Sequence, residues 1–279
     1  MPEPLDTQAL QELCLKTRLD ILDMTTKAGS GHVSSSYSSV EIVTALFFGG
    51  ILNYRADEPD WPDRDRFIMS KGHAAPLLYA TLAYAGYFDR EEIWRLRDVD
   101  SPVQGHPIKG LMPGVEATTG SLGQGLSFGV GTLLGARMAG RDYRTYVLMG
   151  DGECEAGQVW EAAMSATHYG TNKLTAILDY NKYQEMGPIS REMGLEPLVQ
   201  KWESFGWNVE EVNGHDIEAV IAKLTALKQV EDKPSILIAH TVKGKGVSFL
   251  EADYTWHGRA VTKPEQVEQA REELKNGIR

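Results

Sequence analysis

Residues 145–181 read TYVLMGDGECEAGQVWEAAMSATHYGTNKLTAILDYN, and this stretch decides the fold. Residues 145–149 and 174–179 are apolar runs of strand length, and the segment between them has the length and pattern of a helix. A strand, a helix and a second strand in this order predict a parallel βαβ unit. Asp151 follows the first strand and Asn181 follows the second, so both side chains should lie at the carboxyl edge of the sheet, where open α/β sheets bind ligands.

The rest of the chain repeats this alternation. Further strands are predicted over residues 67–69, 207–212 and 235–241, and helices over 7–28, 39–48, 126–137, 158–169, 197–205 and 217–227, with one more opening at Pro76. Residues 98–123, rich in Gly, Pro, Ser and Thr, form the longest irregular stretch, and loops of this length are usually functional or disordered. No repeat or linker divides the chain. We therefore predict one α/β domain over residues 1–279, with a mainly parallel sheet flanked by helices on both faces.

Composition excludes several classes of protein. A net charge of −11 argues against a nucleic-acid binder, which would show a basic footprint. The first residues lack the basic and apolar segments of a signal peptide, and the most apolar run, residues 40–52, is too short to span a bilayer. The two cysteines, Cys14 and Cys154, fit no metal or redox motif and suit a reducing, cytoplasmic compartment.

Asp151 and Asn181 are candidate metal ligands. A Gly-Asp-Gly turn after a strand is common by itself, but here the acid is paired with an amide at the end of the neighbouring strand. A carboxylate, an amide oxygen and a backbone carbonyl just after Asn181 are ligands that suit Mg²⁺, and a diphosphate could complete its coordination shell.

The histidines give a second signal. Four of the seven are candidate site residues in glycine-containing turns, namely His32, His73, His106 and His257. Histidine in such a turn can approach a ligand closely and titrates near neutral pH. We interpret the other three, His168, His215 and His240, as surface or core residues.

Two glycine-rich runs are similar to nucleotide-binding loops but do not meet the criteria for them. Gly129-Val130-Gly131 has the wrong spacing for a dinucleotide loop and lies inside a predicted helix. Lys243-Gly244-Lys245-Gly246 follows a strand but lacks the length and the Ser/Thr of a P-loop, so we assign Lys243 at most an accessory contact to an anion.

Taken together, the motifs resemble the thiamine-diphosphate-binding N-terminal domain of transketolases. The similarity runs nearly end to end, and the order and number of the motifs make it specific. It rests on Ser30-Gly31-His32, Ser70-Lys71-Gly72-His73, Leu77-Leu78-Tyr79, Gly105-His106-Pro107, residues 113–125, Gly150-Asp151-Gly152, Asn181-Lys182, residues 240–246 and Trp256-His257-Gly258.

The resemblance implies thiamine diphosphate and Mg²⁺ as cofactors, with Ca²⁺ or Mn²⁺ as substitutes for the metal. It places the metal on Asp151, Asn181 and the carbonyl of Tyr183. The implied cofactor contacts are His73, Gly120, Ser121, Leu122, Asp151, Gly152, Glu153, Asn181, Lys243 and His257. The implied catalytic residues are His32, His73, His106 and His257. Of these, His32, His106 and His257 would bind the hydroxyls of a ketose and move protons, and His73 and His257 would contact the diphosphate side and the reacting centre.

The resemblance also implies a missing part. In the family, the glutamate that activates the cofactor and the arginines that bind the sugar phosphate lie in a pyrimidine-binding domain that this sequence lacks. We therefore expect a separately encoded C-terminal subunit, and a heterotetramer with two chains of each kind. Two positions depart from the family: Val33-Ser34-Ser35-Ser36 replaces a proline-containing start, and Ala156 stands where glutamate is common. Glu153 and Glu155 lie near Ala156, and Glu161 keeps its place.

Three functions follow as alternatives. The first is transfer of a two-carbon ketol unit from a ketose or its phosphate to an aldose or its phosphate, as in the pentose phosphate pathway or a specialised sugar pathway. The second is a deoxyxylulose-phosphate-synthase-like activity, which uses the same cofactor site. The third is a non-catalytic cofactor-binding or regulatory subunit.

Overall fold

All five strands of the sheet run parallel. The computed structural model describes residues 3–276, so the first two and last three residues of the predicted domain lie outside the described residues. The strands are β1 (Arg66–Met69), β2 (Thr145–Gly150), β3 (Leu174–Tyr180), β4 (Asn208–Asn213) and β5 (Ser235–His240). Their order in the sheet is β1-β2-β3-β5-β4, and every neighbouring pair is parallel. The predicted mainly parallel sheet is confirmed.

The central strands are apolar along their length because both of their faces are covered. In β2, Tyr146 and Leu148 pack into one hydrophobic cluster, whereas Val147 and Met149 pack into a second cluster on the opposite face. Successive side chains of a strand point to opposite faces, so this continuous apolar run supplies both cores.

Helices lie on both faces of the sheet, as predicted. The helices are α1 (Thr7–Ala28), α2 (Val33–Tyr37), α3 (Val40–Phe48), α4 (Ala75–Tyr84), α5 (Gln124–Met138), α6 (Gly157–His168), α7 (Ile189–Glu192), α8 (Leu198–Ser204), α9 (Ile217–Leu227) and α10 (Pro264–Asn276). The first cluster contains side chains of α1, α3, α4 and α9, and the second contains side chains of α5, α6 and α8. Short 3₁₀ helices occupy Gly72–Ala74, Arg90–Arg95, Gly152–Glu155 and Tyr254–Trp256.

Helix α1 has both of its predicted ends. The Asp6 side chain accepts a hydrogen bond from the Ala9 N–H at 2.8 Å, and the helix stops at Gly29, where φ is 64°. Three helices, α2, α7 and α10, were not predicted. Helix α2 is rich in serine, which favours turns over helices, and all five of its residues are buried, so tertiary packing determines its conformation.

The long irregular stretch of residues 98–123 contains neither helix nor strand, as predicted. It crosses the carboxyl edge of the sheet, where the Thr119 hydroxyl donates to the Met69 carbonyl at 2.7 Å. The dinucleotide-like Gly129-Val130-Gly131 lies within α5, again as predicted. Within residues 3–276, the structure contains no helix that is both long and apolar enough to cross a membrane.

Candidate active site

Asp151 and Asn181 lie side by side at the carboxyl edge of the sheet. Gly150 pairs with Asp179 in the β2–β3 register, so the residues that follow these strands are neighbours. The Asp151 carboxylate accepts from the Gly152 N–H at 2.9 Å and from the Lys182 N–H. The Asn181 side-chain oxygen accepts from the Tyr183 N–H at 3.1 Å.

A cavity of about 260 Å³ opens beside these two residues. It is lined by nine of the residues predicted for the site: His73, Leu122, Asp151, Gly152, Glu153, Asn181, Tyr183, Lys243 and His257. Ser35, Lys71, Glu155, Gln184 and Glu185 also line it, and none of these five was predicted as a site residue. One cavity thus brings together predicted site residues that are up to 184 positions apart in the chain, from His73 to His257.

The donor set fits a hard divalent cation bound to a diphosphate. Burial, with the nearby charge of Asp179, raises the pKa of Asp151 to about 7, so the ionised carboxylate is costly unless a cation lies beside it. A divalent ion beside Asp151 and Asn181 would remove that cost. Gly152 lies close to Gln184, since a Cβ at Gly152 would stand 2.7 Å from the Gln184 Cβ. The backbone therefore has no room for a side chain there and remains open to a ligand.

The four turn histidines form one cluster next to this cavity. The His32 ring centroid lies 5.1 Å from that of His73, 5.3 Å from that of His257 and 6.2 Å from that of His106. Burial lowers the pKa of His32 to about 4 and that of His257 to about 3, and neighbouring cations act in the same direction. Burial also holds the pKa of His73 well below its usual range and lowers that of His106. The rings are therefore neutral at pH 7.

The turn at Gly120–Gly123 closes another side of the cluster. Gly120 has φ 139°, and a Cβ there would stand 2.7 Å from the His106 Cδ2. The Leu122 side chain is 40% exposed and lines the cavity, whereas Ser121 is exposed and outside the cavity lining. Gly120, Ser121 and Leu122 are all predicted contacts of the cofactor, and of these only Leu122 lines the cavity.

Glu153 holds this turn to the sheet. Its buried carboxylate accepts from the Ser70 hydroxyl, from the Gly123 N–H at 2.9 Å and from the Gly150 N–H at 3.1 Å. The ends of β1 and β2 are thereby tied to the Gly120–Gly123 turn. These three bonds favour a role in positioning the turn over the predicted direct contact with a cofactor.

A buried ion pair behind the cavity was not predicted. Lys71 and Asp179 are 1% and 0% exposed, and the Lys71 ammonium donates to the Asp179 carboxylate. Asp179 also accepts from the hydroxyls of Ser38 and Thr241, and from the Asn181 side-chain nitrogen at 3.2 Å. Because the nitrogen of that amide faces Asp179, its oxygen faces the other way. The pair therefore fixes the orientation of a predicted metal ligand.

Lys243 is buried in the wall of the cavity, and its predicted accessory contact to an anion stays a prediction. It is 1% exposed, and its ammonium lies 2.9 Å from the His257 Nδ1. Burial, together with the charge of Lys71, lowers the pKa of Lys243 to about 8. A buried ammonium at the cavity wall provides a site for an anionic group.

Ala156, the position that departs from the family pattern, caps α6 and packs against the turn. A Cβ at Gly123 would lie 3.0 Å from the Ala156 Cβ. The neighbouring Glu161 is exposed on α6.

Comparison with known proteins identifies a family that matches nearly the whole chain. Residues 10–277 match the family model described as transketolase, thiamine diphosphate binding domain. An apulose-4-phosphate transketolase subunit of Phocaeicola vulgatus is 41% identical over 263 residues, which are 94% of this chain and 92% of that protein. The 6-deoxy-6-sulfo-D-fructose transketolase subunit SqwG of Clostridium sp. is 40% identical over 236 residues, which are 85% of this chain and 86% of that protein.

A solved transketolase structure has the same fold as this chain. Transketolase from Campylobacter jejuni superposes with a TM-score of 0.91 at 31% identity, over 97% of this chain and 43% of the solved chain. This chain therefore spans most of the length of the two subunit relatives and less than half of the solved transketolase.

Proposed function

We propose that this chain, which belongs to the transketolase family, is the cofactor-binding subunit of an enzyme that transfers a two-carbon ketol unit from a ketose donor to an aldose acceptor. The observation that carries the proposal is a single cavity in which a carboxylate, an amide, a buried ammonium and the neutral histidines His73 and His257 converge. The carboxylate, the amide and the ammonium suit the diphosphate of thiamine diphosphate and its metal ion. The histidines suit proton transfer on a sugar.

Asp151, Asn181 and the Tyr183 carbonyl would hold Mg²⁺, and Gly152 and Lys243 would contact the diphosphate. When bound, thiamine diphosphate supplies the carbon nucleophile and the electron sink for cleavage of the carbon–carbon bond. The chain's own contribution is to fix that group beside the histidine cluster. Glu153 supports this by holding the Gly120–Gly123 turn in place.

The histidines would transfer protons to and from the hydroxyls of the sugar. His32, His106 and His257 are neutral at pH 7, so each can accept a proton from a substrate hydroxyl or return one. His32 carries a buried Nδ1 without a hydrogen-bond partner among the described residues, which leaves it available to a ligand. Positioned proton transfer of this kind contributes roughly 10²–10⁴-fold to a rate.

A C-terminal partner subunit is part of the proposal. The supporting observation is that a relative named as one subunit of a transketolase matches this chain over 92% of its own length. We propose an assembly of two chains of each kind, with the cofactor between unlike subunits. A cytoplasmic location also belongs to the proposal, because Cys14 and Cys154 are buried free thiols.

Titration calorimetry with thiamine diphosphate and Mg²⁺ tests the site on the complex of both subunits. We expect saturable binding that Asp151→Asn weakens strongly. Asp142→Asn, at an exposed carboxylate, is the matched control and should bind as the parent does. Absence of binding by the intact complex would favour a non-catalytic subunit, and product formation from pyruvate would favour a deoxyxylulose-phosphate-synthase-like activity.

A further inference from the structure

His215 lies in the turn between β4 and α9, and its ring reaches the segment that carries Lys243. The Gly214 N–H donates to the His240 carbonyl at 2.8 Å, which ties this turn to the end of β5. A Cβ at Gly214 would stand 2.5 Å from the Thr241 Cγ2, so the close approach requires glycine. The His215 side chain is 13% exposed, and its ring nitrogens therefore depend on partners within the protein.

The two ring nitrogens of His215 have opposite hydrogen-bond roles. The Val242 N–H donates to Nε2 at 2.8 Å, and because a backbone N–H can only donate, Nε2 carries no proton. Nδ1 lies 3.0 Å from the Glu41 carboxylate, which can only accept when it is ionised, so Nδ1 carries the proton. The ring is therefore neutral and held in one tautomer by its two partners.

Arg18 keeps the Glu41 carboxylate ionised and in place. Burial opposes ionisation, but the adjacent guanidinium lowers the pKa of Glu41 to about 2. The Arg18 Nη1 lies 2.7 Å from one carboxylate oxygen, and Nη2 donates to the other at 2.9 Å. Such a bidentate pair fixes the geometry of the carboxylate. Side chains from α1, α3 and the turn before α9 thus form one hydrogen-bonded row that ends at the Val242 N–H.

The segment after β5 carries Lys243 into the cavity wall and is held on both sides of that residue. Before it, the Val242 N–H donates to the His215 ring. After it, the Gly244 N–H donates to the Ser34 carbonyl at 3.0 Å. Of these two bonds, only the first has a side chain as its acceptor, so a single substitution can remove it without a change to the backbone.

We propose that His215 is a positioning residue for Lys243: its ring fixes the peptide before Lys243 and thereby directs the ammonium into the cofactor cavity. The inference rests on the proposed function, because this placement serves the proposed contact between Lys243 and the diphosphate. A lysine has a long flexible stem, so a fixed backbone is needed to bring its ammonium to one place. His215 is not among the residues that line the cavity, so it acts through Lys243.

Two amide substitutions separate the two bonds of the ring, because an asparagine amide replaces Nδ1 and a glutamine amide replaces Nε2. His215→Gln keeps an acceptor for the Val242 N–H, whereas His215→Asn keeps only a donor for Glu41. Titration calorimetry with thiamine diphosphate and Mg²⁺, on the complex of both subunits, measures the Kd. We expect the Kd to rise about 10-fold in His215→Asn, the scale of one lost buried hydrogen bond, and less than about threefold in His215→Gln.

Two further variants test whether His215 acts through Lys243. His240→Asn changes a histidine that also pairs with a glutamate, Glu211, near the same segment, and the Kd should stay within about twofold of the parent value. His215→Asn combined with Lys243→Met should bind no more weakly than Lys243→Met alone, because both changes remove one contact. Additive losses in the double variant, or equal losses in His215→Asn and His215→Gln, would overturn the proposal.

A readout without cofactor decides on His215 if the parent complex binds no thiamine diphosphate, a result that would reject the proposed function. In the parent, the Lys243 ammonium lies 2.9 Å from the His257 Nδ1. The ¹⁵N NMR signal of that nitrogen should be the same in the parent and in His215→Gln, and should shift in His215→Asn, where Lys243 moves away from it. An unchanged signal in His215→Asn, or an equal shift in His215→Gln, would reject the positioning role.

Discussion

Replacing Lys71 by methionine tests the buried ion pair on which the site is built. Methionine has a similar length and no charge, so the change leaves the Asp179 carboxylate at 0% exposure without its cation. The hydroxyls of Ser38 and Thr241 still donate to it, which limits the loss. Removal of one partner from a buried pair typically costs about 3–5 kcal/mol of unfolding free energy. For a protein of this size, that corresponds to a fall in Tm of roughly 6–20 °C.

The loss should depend on pH in a defined direction. In the parent, burial opposes ionisation of Asp179, but Lys71 holds its pKa at about 2, below the ordinary 3.8. The pair therefore stabilises the parent above the ordinary pKa and loses this effect as the pH falls towards 2. In the variant, burial alone raises the pKa, so protonation relieves the buried charge on acidification. The difference in stability between the two proteins should narrow between pH 7 and pH 4.

Denaturant unfolding of both proteins at several pH values measures this difference. Lys173→Met, at an exposed pair with Asp142, is the control and should cost less than about 1 kcal/mol. Lys71→Met combined with Asp179→Leu should be more stable than Lys71→Met alone, because no buried charge remains. A loss below about 1 kcal/mol that does not change with pH would refute the reasoning.

Three further predictions concern the site itself. Asp151→Asn should raise the Mg²⁺ concentration for half-maximal activity by at least about 10-fold, because a neutral amide binds a hard cation less well, and a metal titration would show it. His32 and His257 should remain neutral from pH 8 to pH 5 in NMR titrations, because their pKa values are lowered to about 4 and 3; titration near pH 6.5 would contradict this. Gly120→Ala should displace the His106 ring, so kcat should fall while Tm changes little. Paired rate and Tm measurements would show this.

The helices and strands that have a local sequence pattern could be predicted from the sequence alone. The apolar runs of β2 and β3, with the helix between them, predict a parallel unit, and the carboxyl edge of such a unit is where Asp151 and Asn181 lie. Candidate site residues in glycine-containing turns could also be predicted from the sequence. Glycine is needed where the backbone is left-handed or where another group approaches it closely. The four candidate histidines His32, His73, His106 and His257 form one cluster in the structure, whereas His215, which also follows a glycine, lies against Glu41 outside it.

Contacts between distant segments could not be read from local patterns. Lys71 and Asp179 are 108 positions apart, and a lysine next to a glycine is usually on the surface. The hydrogen bonds of Glu153 to Ser70, Gly123 and Gly150 join segments that no spacing rule relates, so they could not be predicted from the sequence.

Ketol transfer measured with this chain alone and with its C-terminal partner added tests the account most directly. With a ketose phosphate donor, an aldose phosphate acceptor, thiamine diphosphate and Mg²⁺, the proposed division of the site predicts no turnover by the single chain. Addition of the partner should give turnover that requires both cofactors and that, in Asp151→Asn, needs at least about 10-fold more Mg²⁺. Turnover by the single chain would contradict the proposed split site, and no turnover by the complete complex would contradict the proposed function.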